Sequence, residues 1–422
     1  MLPKLVRANE PKKNWKIVIF YIIGISLLLF AVHFAFLVPT FNFVESIGLH
    51  GEEELSLLAT STVVQSSRPR SSNDQSVSSV QTPKGSTVVF GFAPGGPLLY
   101  SQKDLTAMFK DMKSLGAAWI RFDVDWSRIQ ANSATEYDWD SFDRVINTAK
   151  KENLNPLGLI TYTPKWARSS ECEFSDKCAP ADIKDFSDFA AAVATRGVFL
   201  GMHTWEIWNE PNGSDFWEPG ADPVQYAQLL KETYRKIKSV DPTAVVIIGG
   251  LARQGNANGN MDSVTFVQNL YENGAQGSFD AIALHPYSFP YLPNFPTGLN
   301  AWSEIEKVHK LMILNGDGSK KIWVTEYGAP TNGPGILATH GNDVRENAAS
   351  HVSEAIQATF LSNALTSYET YDYVGPFFWF GYKDSGVSTN TVENFFGILR
   401  HDGSQKPAYN LLKQMSVSGT VQ

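Results

Sequence analysis

Two glutamates stand in settings unusual for solvated charges: Glu210 within Trp208-Asn209-Glu210-Pro211-Asn212, and Glu326 within Trp323-Val324-Thr325-Glu326-Tyr327-Gly328. Aromatic neighbours strip water from a carboxyl group and favour retention of a proton at neutral pH, as an acid catalyst requires. Two carboxyl groups brought together can divide acid–base and nucleophilic work between them. Taken singly, a glutamate after a strand reads as a helix cap or a solvated loop charge. Here Pro211 stops the preceding strand from continuing, and each glutamate ends an apolar run.

The elements that must position the pair follow from the apolar pattern. Runs of strand length are Thr87–Phe92, Trp119–Val124, Leu157–Thr161, Thr204–Trp208, Ala244–Gly249, Ala281–Leu284, Ile322–Thr325 and Gly375–Phe380. They are continuously apolar rather than alternating, which marks strands buried on both faces, as in a parallel sheet. Helical patterns lie between them. Leu105, Met108, Met112 and Leu115 follow the cap signal Ser101-x-x-Asp104, Tyr226, Leu229, Leu230 and Ile237 follow Asp222-Pro223, and Val264, Val267 and Leu270 end at Gly274. Eight strand–helix alternations predict an α/β fold, a (β/α)8 TIM barrel. A doubly wound open sheet is the alternative, but its nucleotide-binding form needs a glycine-rich phosphate loop, which Gly91-Phe92-Ala93-Pro94-Gly95-Gly96 is not.

Catalytic groups of such barrels come from the C-terminal strand ends. Those ends carry Arg121 and Asp123 (second), Thr163 and Trp166 (third), Asn209 and Glu210 (fourth), His285 and Tyr287 (sixth), Glu326 and Tyr327 (seventh) and Trp379 (eighth). Glu210 and Glu326 therefore enter one mouth from opposite sides. His285 has no second His or Cys at ligand spacing, so no metal site is expected. No cofactor motif occurs.

Trp205-Glu206-Ile207-Trp208-Asn209-Glu210-Pro211-Asn212 resembles the strand-four signature of clan A glycoside hydrolases, and Trp323-Val324-Thr325-Glu326-Tyr327-Gly328 resembles their strand-seven nucleophile segment. Trp119-Ile120-Arg121, Leu284-His285-Pro286-Tyr287, Trp379, Gly397-Ile398-Leu399 and Lys406-Pro407-Ala408-Tyr409 fall in matching order, so the resemblance covers residues 86–415. Within the clan the chain is most similar to family 39-like and family 5-like enzymes. Phe216-Trp217-Glu218-Pro219 and Asp222-Pro223 point toward family 39-like endoglycosidases encoded with bacterial exopolysaccharide synthesis, which implies polysaccharide-synthesis machinery as a partner.

The resemblance implies a retaining double displacement on a β-linked poly- or oligosaccharide, with Glu210 as general acid/base and Glu326 as nucleophile. Asn209 would bind the sugar 2-hydroxyl, and Arg121 would hold Glu326 ionised with Tyr287 or His285 helping. Trp379 would floor the subsite of the cleaved sugar, with Tyr327 beside it. Trp126, Trp166 and Trp217 are read either as sugar platforms or as rings packing loop against barrel. A transglycosylase using the same intermediate, and a non-catalytic carbohydrate-binding assembly factor, are the alternatives. The presence of both glutamates favours catalysis.

The 422 residues are 43% hydrophobic and 12% aromatic, including 11 Trp, and the net charge of -8 leaves no basic footprint for nucleic acid. A basic segment, residues 1–16, precedes the apolar run Ile17 to Val38. As a helix this run spans roughly 33 Å, one hydrocarbon core. It is longer than a signal-peptide core and lacks a small-x-small cleavage site, so an uncleaved signal-anchor is expected over 17–38. The N-terminus should be cytoplasmic and the remainder extracytoplasmic. Residues 39–85, rich in Ser and Thr, read as a linker, 86–416 as the barrel and 417–422 as a tail. The two cysteines, Cys172 and Cys178, cannot make a four-ligand zinc site. Outside the cytosol they would close a small disulfide loop; two unrelated thiols are the alternative.

Overall fold

The computed structural model describes residues 88–421 except 171 and 173. The expected cytoplasmic segment, membrane span and linker lie outside the described residues. Among those described, no helix is long and apolar enough to cross a membrane.

Eight strands alternate with eight helices: β1 (Phe90–Ala93), α1 (Gln102–Ser114), β2 (Trp119–Asp125), α2 (Asp140–Lys151), β3 (Asn155–Thr161), α3 (Ile183–Leu200), β4 (Thr204–Ile207) and α4 (Pro223–Val240). The second half comprises β5 (Val245–Ile248), α5 (Ser263–Glu272), β6 (Ala281–His285), α6 (Glu304–Leu314), β7 (Lys321–Tyr327), α7 (Glu354–Tyr368), β8 (Val374–Phe380) and α8 (Pro407–Ser418). Strands pair in parallel in the order β5-β4-β3-β2-β1-β8-β7-β6, and Ile247 opposite Ala281 joins β5 to β6, closing the ring. The expected (β/α)8 barrel is what forms.

Local chemistry explains the helix starts. Ser101 accepts from the amide of Asp104, and Asp222 accepts from those of Val224 and Gln225 with Pro223 in the first turn. Such caps are worth ~1 kcal/mol each because they satisfy orphan amides. Of the expected tail 417–422, residues 417 and 418 still belong to α8. Val421 is buried and bridges to Val88.

Alternation along each strand sorts side chains into two layers. Trp323 and Phe378 point into the barrel, where Trp119 packs edge-on against both, at 5.3 and 6.4 Å between ring centres. Phe377 and Trp379, one residue either side of Phe378, face the helical shell instead. Between Val324 and Tyr327, β7 holds one residue more than β8 opposite it, from Phe377 to Trp379. This bulge lets Glu326 reach the mouth while Tyr327 stays on the outer face against Trp302 and Phe377.

Candidate active site

The mouth is organised around a buried guanidinium. Arg121, inward on β2, donates from Nε to Glu206 Oε2 at 2.6 Å, from Nη2 to Asn209 Oδ1 at 2.9 Å and to Glu206 Oε1 at 3.2 Å, and from Nη1 to Glu326 Oε1. Burial alone would lower its pKa, but the charges of Glu206 and Glu326 raise it, so it stays a cation. Glu206 lies mid-strand on β4 with no solvent exposure. A charge buried there needs partners, and it has them: besides Arg121, it accepts from the Gly250 amide at 2.8 Å and the Thr325 hydroxyl at 3.0 Å.

Glu326 receives a second donor, the Tyr287 hydroxyl, at 2.9 Å on Oε2. Burial would raise its pKa, yet the charges of His285 and Arg121 and the two hydrogen bonds bring it below the ordinary glutamate value. Glu210 meets different surroundings. After β4, Trp208 and Glu210 take left-handed backbone conformations, φ 69° and 44°, which turn the chain sharply at the mouth. The Glu210 amide donates to Gly250 O at 3.0 Å, and Oε1 lies 2.9 Å from His285 Nδ1. His285 is fully buried and reaches Thr325 Oγ1 through Nε2 at 3.0 Å. Its pKa is raised: burial lowers it, but the Glu326 charge and the bond to Glu210 outweigh that.

Glu210, His285 and Glu326 bring one ligating atom each within 4.8 Å of one another, the only such group among the described residues. A cation there would compete with donors already in place, since Arg121 and Tyr287 occupy both oxygens of Glu326. Gly250 is required by this crowding. A Cβ would collide with His285 Nε2 and stand 2.7 Å from Thr325 Oγ1.

Above these groups opens a cleft of about 430 Å³, walled by Phe216, Tyr287, Phe289, Phe380 and Phe396, with Tyr162 and Asn209 also exposed to it. Two further carboxyl groups line it, Asp123 and Glu393. Burial pushes Asp123 up to about 6, against the pull of Arg121 and with repulsion from Glu326. Glu393, on the rim, is also raised, by burial and by the charges of Glu326 and Glu210.

The structure brings Arg121, Asn209, Glu210, His285, Tyr287 and Glu326 together as expected from their strand ends. It does not bring the large aromatics. Trp379 is fully buried on the outer face of β8 with Nε1 donating to Phe396 O, so the cleft wall is Phe380, its inward neighbour. Tyr327 is buried outside the barrel with its hydroxyl on Ser288. Trp217 packs between Trp208 and Tyr226, leaving Phe216 to face the cleft. Trp166 donates to Gln130 O and meets the buried Trp126 edge-on, so both rings pack loop against barrel. Asn212, which opens the sequon-like triplet Asn212-Gly213-Ser214, is also buried, its amide donating to Ala252 O and Met261 O, so it cannot take a glycan in the folded protein. Cys172 and Cys178 form a disulfide in the loop after β3. That loop holds the Phe216 segment: Ser175 donates to Glu218 at 2.7 Å, and Lys177 Nζ sits 4.2 Å from the Phe216 ring centre.

Reading from residues alone missed Glu206, Gly250, Glu393 and the phenylalanine walls. A charge in the middle of a strand buried on both faces was the signal for Glu206, since it must find a cation.

A barrel whose mouth sets two glutamates face to face over a buried arginine is equipped to cleave acetal linkages. Residues 183–406 match the model of the glycosyl hydrolase catalytic core, and the chain belongs to that family of glycoside hydrolases. Similar solved structures include a family 39 glycoside hydrolase from the gut symbiont Bacteroides cellulosilyticus WH2 (22% identity, TM-score 0.61, covering 79% of this chain and 64% of that one). A monomeric beta-xylosidase from Caulobacter crescentus CB15 gives 18%, 0.59, 78% and 68%. An exo-beta-1,4-mannosidase from Opitutaceae bacterium strain TAV5 gives 18%, 0.54, 79% and 60%. At these identities the likeness establishes the fold. The chain spans under two thirds of the length of the first of these structures.

Proposed function

We propose that this enzyme hydrolyses O-glycosidic bonds in a β-linked poly- or oligosaccharide with retention of anomeric configuration. The observation that carries the reading is the approach of Glu210 and Glu326, one carboxylate oxygen of each lying within 4.8 Å of the other's. Retaining enzymes keep the two carboxyl groups about 5–5.5 Å apart, whereas inverting ones leave about 6.5–9.5 Å for a water. The names of the beta-xylosidase and the exo-beta-1,4-mannosidase support the β-linked class.

The surroundings divide the roles. Glu326, held as an anion by Arg121 and Tyr287, attacks the anomeric carbon. Glu210 donates a proton to the departing oxygen as the glycosidic bond breaks. A water then attacks the same carbon, gives its proton back through Glu210, and Glu326 leaves. Asn209 has its carbonyl taken by Arg121, so its amide nitrogen is the group left to donate to the sugar 2-hydroxyl.

The experiment is a panel of β-glycans and aryl β-glycosides assayed with wild type, Glu210→Ala and Glu326→Ala. Cleavage by wild type and loss in both variants is expected; a Glu326→Ala enzyme as active as wild type contradicts the mechanism. We also propose that residues 17–38 tether the barrel outside the membrane, in reach of polysaccharide-synthesis machinery. Recovery of full-length protein from the soluble fraction without detergent counts against the tether.

A further inference from the structure

The floor of the site contains a hydrogen-bond chain whose direction can be deduced. Glu206, paired with Arg121, is a carboxylate and can only accept. Thr325 has one hydroxyl proton and gives it to Glu206 Oε1. Its oxygen must therefore accept from the other neighbour, His285 Nε2, 3.0 Å away. With a proton fixed on Nε2, two states remain at the other end of the ring. Either His285 is an imidazolium donating from Nδ1 to a Glu210 carboxylate, or it is neutral and accepts at Nδ1 from a Glu210 carboxylic acid. Two bare acceptors 2.9 Å apart would repel, so both states place one proton between Nδ1 and Oε1.

We propose that Glu206 is a positioning residue: through Thr325 it locks the His285 tautomer and so keeps one proton on the Glu210–His285 pair, ready for the glycosidic oxygen. This rests on Glu210 being the general acid/base. Glu210 lines the cleft and His285 is sealed beneath it, so the proton leaves and returns through Glu210. The charged and titratable groups facing the ring are Glu210 just beyond β4, Glu326 from β7, Arg121 from β2 and Tyr287 just beyond β6, with Glu206 of β4 reached through Thr325. The raised pKa of His285 accords with a proton held there. Gly250 completes the device, donating to Glu206 and accepting from the Glu210 amide.

Thr325→Val tests the chain without removing a hydrogen bond to Arg121 or to the Glu326 carboxylate. General acid catalysis contributes roughly 10²–10⁴-fold and matters most when the leaving group is poor. The prediction is a loss of roughly 10- to 100-fold in kcat/KM on a phenyl β-glycoside and less than about threefold on its dinitrophenyl counterpart, whose leaving group needs no proton. The alkaline limb of kcat/KM should move to lower pH, and Thr325→Ser should restore both. Equal losses on the two substrates with an unmoved limb would overturn the proposal. Glu210→Ala is run alongside: if it too lost both substrates equally, the acid assignment itself would fall, a failure seen in that variant and not in Thr325→Val alone. Nitrogen-15 spectra of the wild-type imidazole, assigned by difference with His285→Asn, need no variant at 325 to fold. They should show a protonated Nε2; an unprotonated Nε2 overturns the proposal.

Discussion

Glu210, just beyond β4, and Glu326, on β7, each bring one carboxylate oxygen within 4.8 Å of the other's, yet their partners differ in kind. Glu326 lies between a permanent cation and a phenol, and Glu210 against an imidazole. Two carboxyl groups side by side resist simultaneous ionisation unless something compensates. Here Arg121 compensates one and His285 the other, and the proposed division of tasks between the glutamates rests on that difference.

Arg121→Met should unfold more easily by about 3–5 kcal/mol, because it leaves the fully buried Glu206 without its cation. Adding Glu206→Leu should recover much of that stability and none of the activity. Denaturant unfolding of the single and double variants, with an assay on each, checks both halves.

Asp123 gives a pH-dependent prediction. Its carboxyl is raised from 3.8 to about 6 in the folded protein, so the fold binds this proton more tightly than the unfolded chain does. That contribution is full below the unfolded value and is lost as pH rises through 6. Asp123→Asn should therefore stabilise the protein by about 1–3 kcal/mol at pH 7.5 and leave it unchanged below about pH 4. Melting temperatures across that range decide it; a constant difference at all pH values would contradict the assignment.

Gly250→Ala should abolish most activity and cost about 1–3 kcal/mol, since the added methyl displaces His285 or Thr325. Activity near wild type would mean that the His285–Thr325 contact is dispensable.

The aromatic pairs separate cleft from core. Phe216→Ala and Phe380→Ala should raise KM with modest effects on stability, because both line the cleft. Trp217→Ala and Trp379→Ala should instead cost about 3–5 kcal/mol of folding stability, because both are buried outside it. Unfolding curves and KM values for the four variants test the sorting.

How far the residues can be read alone follows from this sorting. Eight largely apolar runs reveal the barrel because strands between two layers are apolar on both faces save where a charge such as Arg121 or Glu206 serves the mouth. Glu210 and Glu326 are legible because their strand ends carry polar groups among aromatics. The resemblance puts Trp379 at the cleft and leaves Trp217 open between sugar platform and loop packing, whereas the fold buries both rings outside the cleft. Which of two adjacent aromatics faces inward depends on strand parity and on the bulge in β7, and register against β8 is a property of the pair of strands. Glu206 is visible in the strand-four motif but has no role until Arg121, 85 positions away, proves to be its partner.

Retention of configuration is the claim on which the two glutamate roles depend. The most direct measurement is proton NMR of the first product released from whichever aryl β-glycoside the enzyme cleaves, recorded before mutarotation. The freed sugar should appear first as the β-anomer, with the α-anomer growing in only as mutarotation proceeds. An α-anomer formed first would mean inversion, and Glu326 could not be the nucleophile nor Glu210 its acid/base partner.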